Sequence, residues 1–135
     1  MNAQLHRYLP LIGRVMIAAI FLISGFAKAT TPEMTQGYIA SAGLPFPLLA
    51  YFIAVVVELG GGLLLVAGYQ TRYVALAMAA FCVAAAFGFH SNLADQNQFI
   101  HFFKNIAMAG GLLQVAAFGA GAFSLDNRKP AKRKR

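Results

Sequence analysis

Apolar residues cluster in four runs, 9–29, 48–67, 73–89 and 102–118, and the segments between them hold most of the charged and polar side chains. A helix rising about 1.5 Å per residue needs about 20 apolar residues to cross a hydrocarbon core roughly 30 Å thick. Each run is therefore read as a membrane-spanning helix. The third is the shortest, but Arg72 and the polar stretch 91–98 bracket it, and it still crosses. Arg7 ahead of the first run and Ala27-Lys28-Ala29 at its end imitate a signal peptide and its cleavage site. Arg14 interrupts the apolar stretch, so the run is expected to be kept as a span.

Small residues recur at helical spacing in every run: Ala18 and Gly25, Ala54 with Gly61 and Gly62, Ala77, Ala80, Ala84 and Gly88, then Ala107 and Gly111. Such stripes let membrane helices approach closely. With the tight turn 68–72 and two longer connections, 30–47 and 90–101, the expected fold is all-α, an integral membrane antiparallel four-helix bundle. Pro45 and Pro47 interrupt helix before the second span and set its direction; part of that loop is expected to lie on the membrane surface.

Composition agrees with this pattern. The 135 residues are 59% hydrophobic, with a mean hydropathy of +0.64 and 11% charged side chains, which excludes an ordinary soluble domain. The four spans leave no room for a second, catalytic domain. We read one four-helix unit, 1–127, followed by a basic tail, 128–135.

The net charge of +7 suggests nucleic acid until its location is considered: six of the eleven Lys and Arg follow Asp126. Directly behind a span, such a cluster fits an anionic lipid surface and fixes orientation, and no specific nucleic-acid partner is expected. Arg7, Arg14, Arg72 and the tail fall on one side of the membrane, Lys28 and Lys104 on the other. The first side, with both termini, is predicted to be cytoplasmic. Cys82, the single cysteine, lies in an apolar run and reads as a small buried hydrophobe. Zinc-type Cys/His spacing, a Gly-rich phosphate loop and a nucleophile elbow are all missing from the sequence, so no metal is expected.

The chemistry lies in a few polar residues inside the runs. Glu58 sits near the middle of the second, where an ionised carboxylate must be paired or protonated and must face the bundle interior. Arg14 lies about 7 Å and Glu58 about 13 Å from the basic side, a gap that a guanidinium can close. One reading is therefore a structural Arg14–Glu58 ion pair. The other is a polar pocket open to the outer side, with Glu58 as floor and proton-handling group, Lys28, Lys104 and Asn105 as wall, and His90 and His101 at the rim. Gln114 falls at a depth similar to Glu58. Such a pocket suits a small anion, a phenol or a quinone headgroup. Haem is disfavoured: His90 and His101 sit at helix ends, and a second pair is lacking.

Phe21-Leu22-Ile23-Ser24-Gly25-Phe26-Ala27-Lys28, Gly43-Leu44-Pro45-Phe46-Pro47, Glu58-Leu59-Gly60-Gly61 with Thr71-Arg72, Phe103-Lys104-Asn105 with Gly110-Gly111-Leu112-Leu113, and the terminal 119–126 follow one another in a distinctive order. Together they resemble the DoxX family over nearly the whole chain. Arg14, Lys28, Glu58, Lys104 and Asn105 fall on that family's characteristic polar positions. The resemblance implies a small bacterial inner-membrane protein whose relatives include a thiosulfate:quinone oxidoreductase subunit and membrane partners of redox or detoxifying enzymes.

Three functions are compatible with these features. The first is a redox-associated membrane subunit, not catalytic by itself, that holds a quinone, phenol or small anion beside a redox-enzyme partner; no cofactor motif is evident, and quinone is the cofactor its pocket would suit. The second is a scaffold in which Arg14 and Glu58 only hold the helices. The third is a homo-oligomeric transporter, suggested by the intramembrane carboxylate and by the similarity of segments 61–67 and 110–116, which a chain rich in Gly, Ala and Leu also produces by chance.

Overall fold

A computed structural model describes residues 1–128; apart from Arg128, the basic tail lies outside the described residues. The fold is all-helical, with five helices and no strand among the described residues. Helix α1 spans Ala3–Thr30, α2 Pro32–Ser41, α3 Pro47–Ala67, α4 Thr71–Phe89 and α5 Gln96–Phe118. All but α2 are long and apolar enough to cross a membrane.

The helices begin and end for local reasons that hydropathy does not carry. Asn2 caps α1 by accepting from the Leu5 amide, and Asp95 caps α5 by accepting from the Gln98 amide. Both helices therefore start well before the apolar residues do. Pro32 and Pro47 open α2 and α3, where the missing N–H costs nothing. Helix α2 occupies part of the connection 30–47, and its Ile39 is buried.

Helix α3 is irregular. Residues Val56–Gly60 form a π-helical turn, with α-helix on either side. The wider turn carries Glu58, and π-bulges of this kind recur at functional positions.

Contacts between α1 and α3 advance along one helix as they retreat along the other: Gly25 lies against Glu58, Leu22 and Ala18 against Gly62, and Arg14 against Leu65. A side chain at Gly62 would come within 2.8 Å of Leu22. The apolar core between the helices is formed by Ala18, Phe21, Leu65, Met78, Cys82 and Leu112. On α4 the buried stripe is Ala75, Ala79, Cys82 and Ala86, whereas Ala77 and Ala80 are exposed and Ala84 borders a cavity. The small-residue pattern chose the wrong face because alanine is equally suited to lipid and to a packed interface.

The first turns of α1 and the segment after α5 meet at one end of the bundle. Tyr8 stacks on Phe123 with ring centroids 4.9 Å apart, and the Arg7 guanidinium lies over the same ring. Residues 119–128 then run back across the α3–α4 turn. The Leu125 and Asp126 amides donate to the Ala67 and Gly68 carbonyls, and the Asp126 carboxylate accepts from the Gln70 and Thr71 amides at 2.8 and 2.9 Å. It thereby caps the first turn of α4 from a distant part of the chain. Arg72 holds the far end of α5 through the Ala116 and Ala117 carbonyls.

Candidate functional site

Glu58 and Lys28 form an ion pair within the membrane-spanning region. Lys28 Nζ stands 3.0 Å from Glu58 Oε1 and 2.6 Å from Ser24 Oγ, and Ser24 Oγ donates to the same carboxylate oxygen at 3.2 Å. Ser24 and Lys28 are one helical turn apart and present their heads together. Between them Gly25 faces the π turn, which brings α1 close enough for the lysine to reach. The second carboxylate oxygen, Oε2, is buried without a hydrogen-bond partner.

The expected Arg14–Glu58 pair does not form. Arg14 is 1% exposed, and its guanidinium donates to the Leu65 and Val66 carbonyls at 2.7 and 3.0 Å and to the Phe123 carbonyl. The last turn of any helix leaves carbonyls without intrahelical donors, and a buried guanidinium with several N–H groups satisfies them. Arg14 thus ties α1, the end of α3 and the segment after α5 together, and Glu58 is left to Lys28, about one turn beyond Gly25.

Beside the ion pair lies a cavity of about 440 Å³ bounded by all five helices. Lys28, Ser24, Glu58, Asn105 and His90 supply polar groups to its wall. Phe21, Ile53, Ala54, Phe81 and Met108 supply apolar ones. Tyr38 and Ile39 of α2 and Leu44 of the following loop cover one end. Tyr38 is stacked on Phe89, ring centroids 5.4 Å apart and nearly parallel. The connection between α1 and α3 is therefore part of the site.

The other polar positions separate into two groups. His90 is on the cavity wall and stacks on His101 at 5.1 Å; burial, and then the neighbouring His101, push its imidazole below the usual range. His101 stacks behind His90 and does not line the cavity. Asn105 Nδ2 turns back to the His101 carbonyl at 3.0 Å. Lys104 and Gln114 are exposed on α5 and do not reach the cavity. Sequence position gave their depth but not their direction around the helix. Ser24, Tyr38 and the π turn join the site beyond the residues expected from the sequence. Ser24 was legible from its place four residues before Lys28; the other two had no sequence signal. Among the described residues no three or more His, Cys, Asp or Glu side chains gather as a metal site.

A family model for DoxX matches residues 9–91, and one for the SURF4 family matches residues 53–132. The chain is 37% identical over 116 residues to the inner membrane protein YqjF of Escherichia coli (strain K12), covering 86% of this chain and 88% of that protein. It is 39% identical over 125 residues to the inner membrane protein YphA of the same organism, covering 89% of each. No solved structure gives a significant match.

Proposed function

Starting from a chain that belongs to the DoxX family, we propose that it is a ligand-binding membrane component of a redox or detoxification system. Its cavity takes a quinone, a phenol or a small anion, and a partner enzyme carries the chemistry. The observation that supports this most directly is the Lys28–Ser24–Glu58 cluster on the wall of a 440 Å³ cavity, with one carboxylate oxygen unpartnered. A buried ion pair is favourable only when hydrogen bonds also satisfy its remaining lone pairs, and at Glu58 the Oε2 oxygen is left unsatisfied. This one borders open volume of the size that small-molecule sites have.

Two similar relatives bear the name inner membrane protein, and this supports the same location here. The basic residues Arg7, Arg72 and Arg128, grouped at the end where Tyr8 meets Phe123, support placing that end in the cytoplasm. The cavity then lies toward the opposite face.

The test is binding. The full chain in lipid nanodiscs is titrated with a short-chain benzoquinone, an alkylphenol and thiosulfate. Saturable binding of at least one of these is expected, with loss in Ala54→Phe, which fills the cavity from a buried wall position. If none binds, and if Glu58→Gln changes only the amount of folded protein, the chain is a scaffold.

A further inference from the structure

The polarity of the cavity narrows its occupant. This step rests on the reading of the cavity as a ligand site.

An anion would need an uncommitted positive charge on the wall. Lys28 is the lysine there, and its ammonium is already engaged by Glu58 Oε1 and Ser24 Oγ. Lys104, the second cation that such a ligand would use, faces away from the cavity. The polar corner is thus neutral as a pair, and an incoming anion would approach a carboxylate. The atom lacking a partner is an acceptor, Glu58 Oε2, on a side chain that is 93% buried; the oxygen itself has almost no accessible surface, so a donor in the cavity meets it through a small turn of the carboxylate. Buried acceptors call for a donor.

The remainder of the wall is hydrocarbon and aromatic ring, as far as Leu44 and Tyr38 at the covered end. Ile20 of α1 and Ile53 of α3 also line the cavity, yet each is 49% exposed on the lipid-facing surface. The cavity therefore reaches the flank of the bundle, where the solvent is the bilayer. A molecule already dissolved in lipid meets this opening directly; a hydrated ion does not.

We infer that the site takes a lipid-dissolved molecule with an apolar, aromatic-sized body and a hydroxyl group, the hydroxyl donating to Glu58 Oε2 and the body lying among Phe21, Phe81 and Met108. The chemical class is an aromatic alcohol, whether a simple phenol or a hydroquinone. Small aqueous anions and fully etherified or oxidised analogues, which offer no donor, are discriminated against.

The decisive comparison uses para-heptylphenol and its methyl ether, which differ in the donor and in one methyl group. Bound to the full chain in nanodiscs, the phenol is expected to be tighter by roughly tenfold or more, since a site with a buried hydrogen-bonding group rejects an analogue that leaves it unpaired. Thiosulfate at millimolar concentration should not displace it. A reduced and an oxidised short-chain benzoquinone, run under argon, separate the two sources of the hydroxyl. In Glu58→Gln the Lys28 ammonium holds the amide oxygen, the amide nitrogen takes the place of Oε2, and the preference should turn toward the ether and the oxidised quinone. Ile20→Trp and Ile53→Trp narrow the flank opening and should slow association.

Equal affinities for phenol and ether, or displacement by thiosulfate, would overturn this inference while the cavity remained a ligand site. Failure of every probe to bind would remove the proposed function as well. If Glu58→Gln does not fold, the phenol and ether on the unaltered protein decide the matter.

Discussion

Gly25 and Glu58 lie in direct apposition: a Cβ on Gly25 would stand 2.9 Å from the Glu58 Cβ and 2.9 Å from Leu59 Cγ. The missing side chain lets α1 rest against the π turn, and that contact sets the distance over which Lys28 reaches the carboxylate. Gly25→Ala should force the two helices apart. A loss of about 1–3 kcal/mol is expected from overpacking, read as a lower melting temperature in detergent. An unchanged melting temperature would mean that the helices yield freely at this point.

Lys28→Met leaves the Glu58 carboxylate buried without its partner. Breaking a fully buried pair costs roughly 3–5 kcal/mol, and the figure here should be smaller because the Lys28 side chain is 31% exposed. A double-mutant cycle on Lys28 and Glu58 should give a coupling of about 0.5–3 kcal/mol. The same cycle on Arg14 and Glu58 should be additive within about 0.5 kcal/mol, since the two share no partner.

Arg14→Lys replaces a planar fork by a single ammonium that cannot serve carbonyls of two separate segments at once. Hydrogen bonds from a charged donor contribute about 1.5–3 kcal/mol each, so losing even one or two should lower stability markedly. The terminal segment 119–128 should become cleavable by protease before the helices do. Ligand binding in the surviving folded protein should be kept, because Arg14 does not line the cavity.

Asp126→Ala removes the cap of α4 and should cost about 1 kcal/mol. The pH profile supplies a second check. Partial burial raises the Asp126 carboxyl, but hydrogen bonds from Thr71 and Gln70, and the charge of Arg14, outweigh it and hold the group below the usual carboxylate range. Its stabilisation is thus present above the unfolded-state value and lost as pH falls through the lower folded value. Acid unfolding of Asp126→Ala should lack that component; parallel profiles for the two proteins would contradict it.

How far the site could be read in advance differs from residue to residue. That Glu58 is buried follows from its position in an apolar run, because hydrocarbon does not tolerate a solvent-facing carboxylate. That Lys28 is its partner did not follow. Depth along a helix axis ranked Arg14 as close enough, yet depth is one coordinate and the direction around the axis is another. Arg14 was drawn elsewhere by carbonyls that hydropathy cannot register: those of the α3 terminus and of a terminal segment with no apolar period. Lys104 illustrates the same point in reverse, since it has the right depth and faces the wrong way.

By itself, then, the sequence determined the number of spanning helices, their approximate limits and the presence of a charge that must be sheltered, because each is set by free energies of transfer accumulated along a single stretch of chain. The tertiary structure decided which charges meet, where α2 lies over the cavity and which wall positions reach the lipid. Those outcomes depend on the relative rotation and close approach of helices distant in sequence, and here on a glycine facing a π turn, a geometry that local composition does not encode.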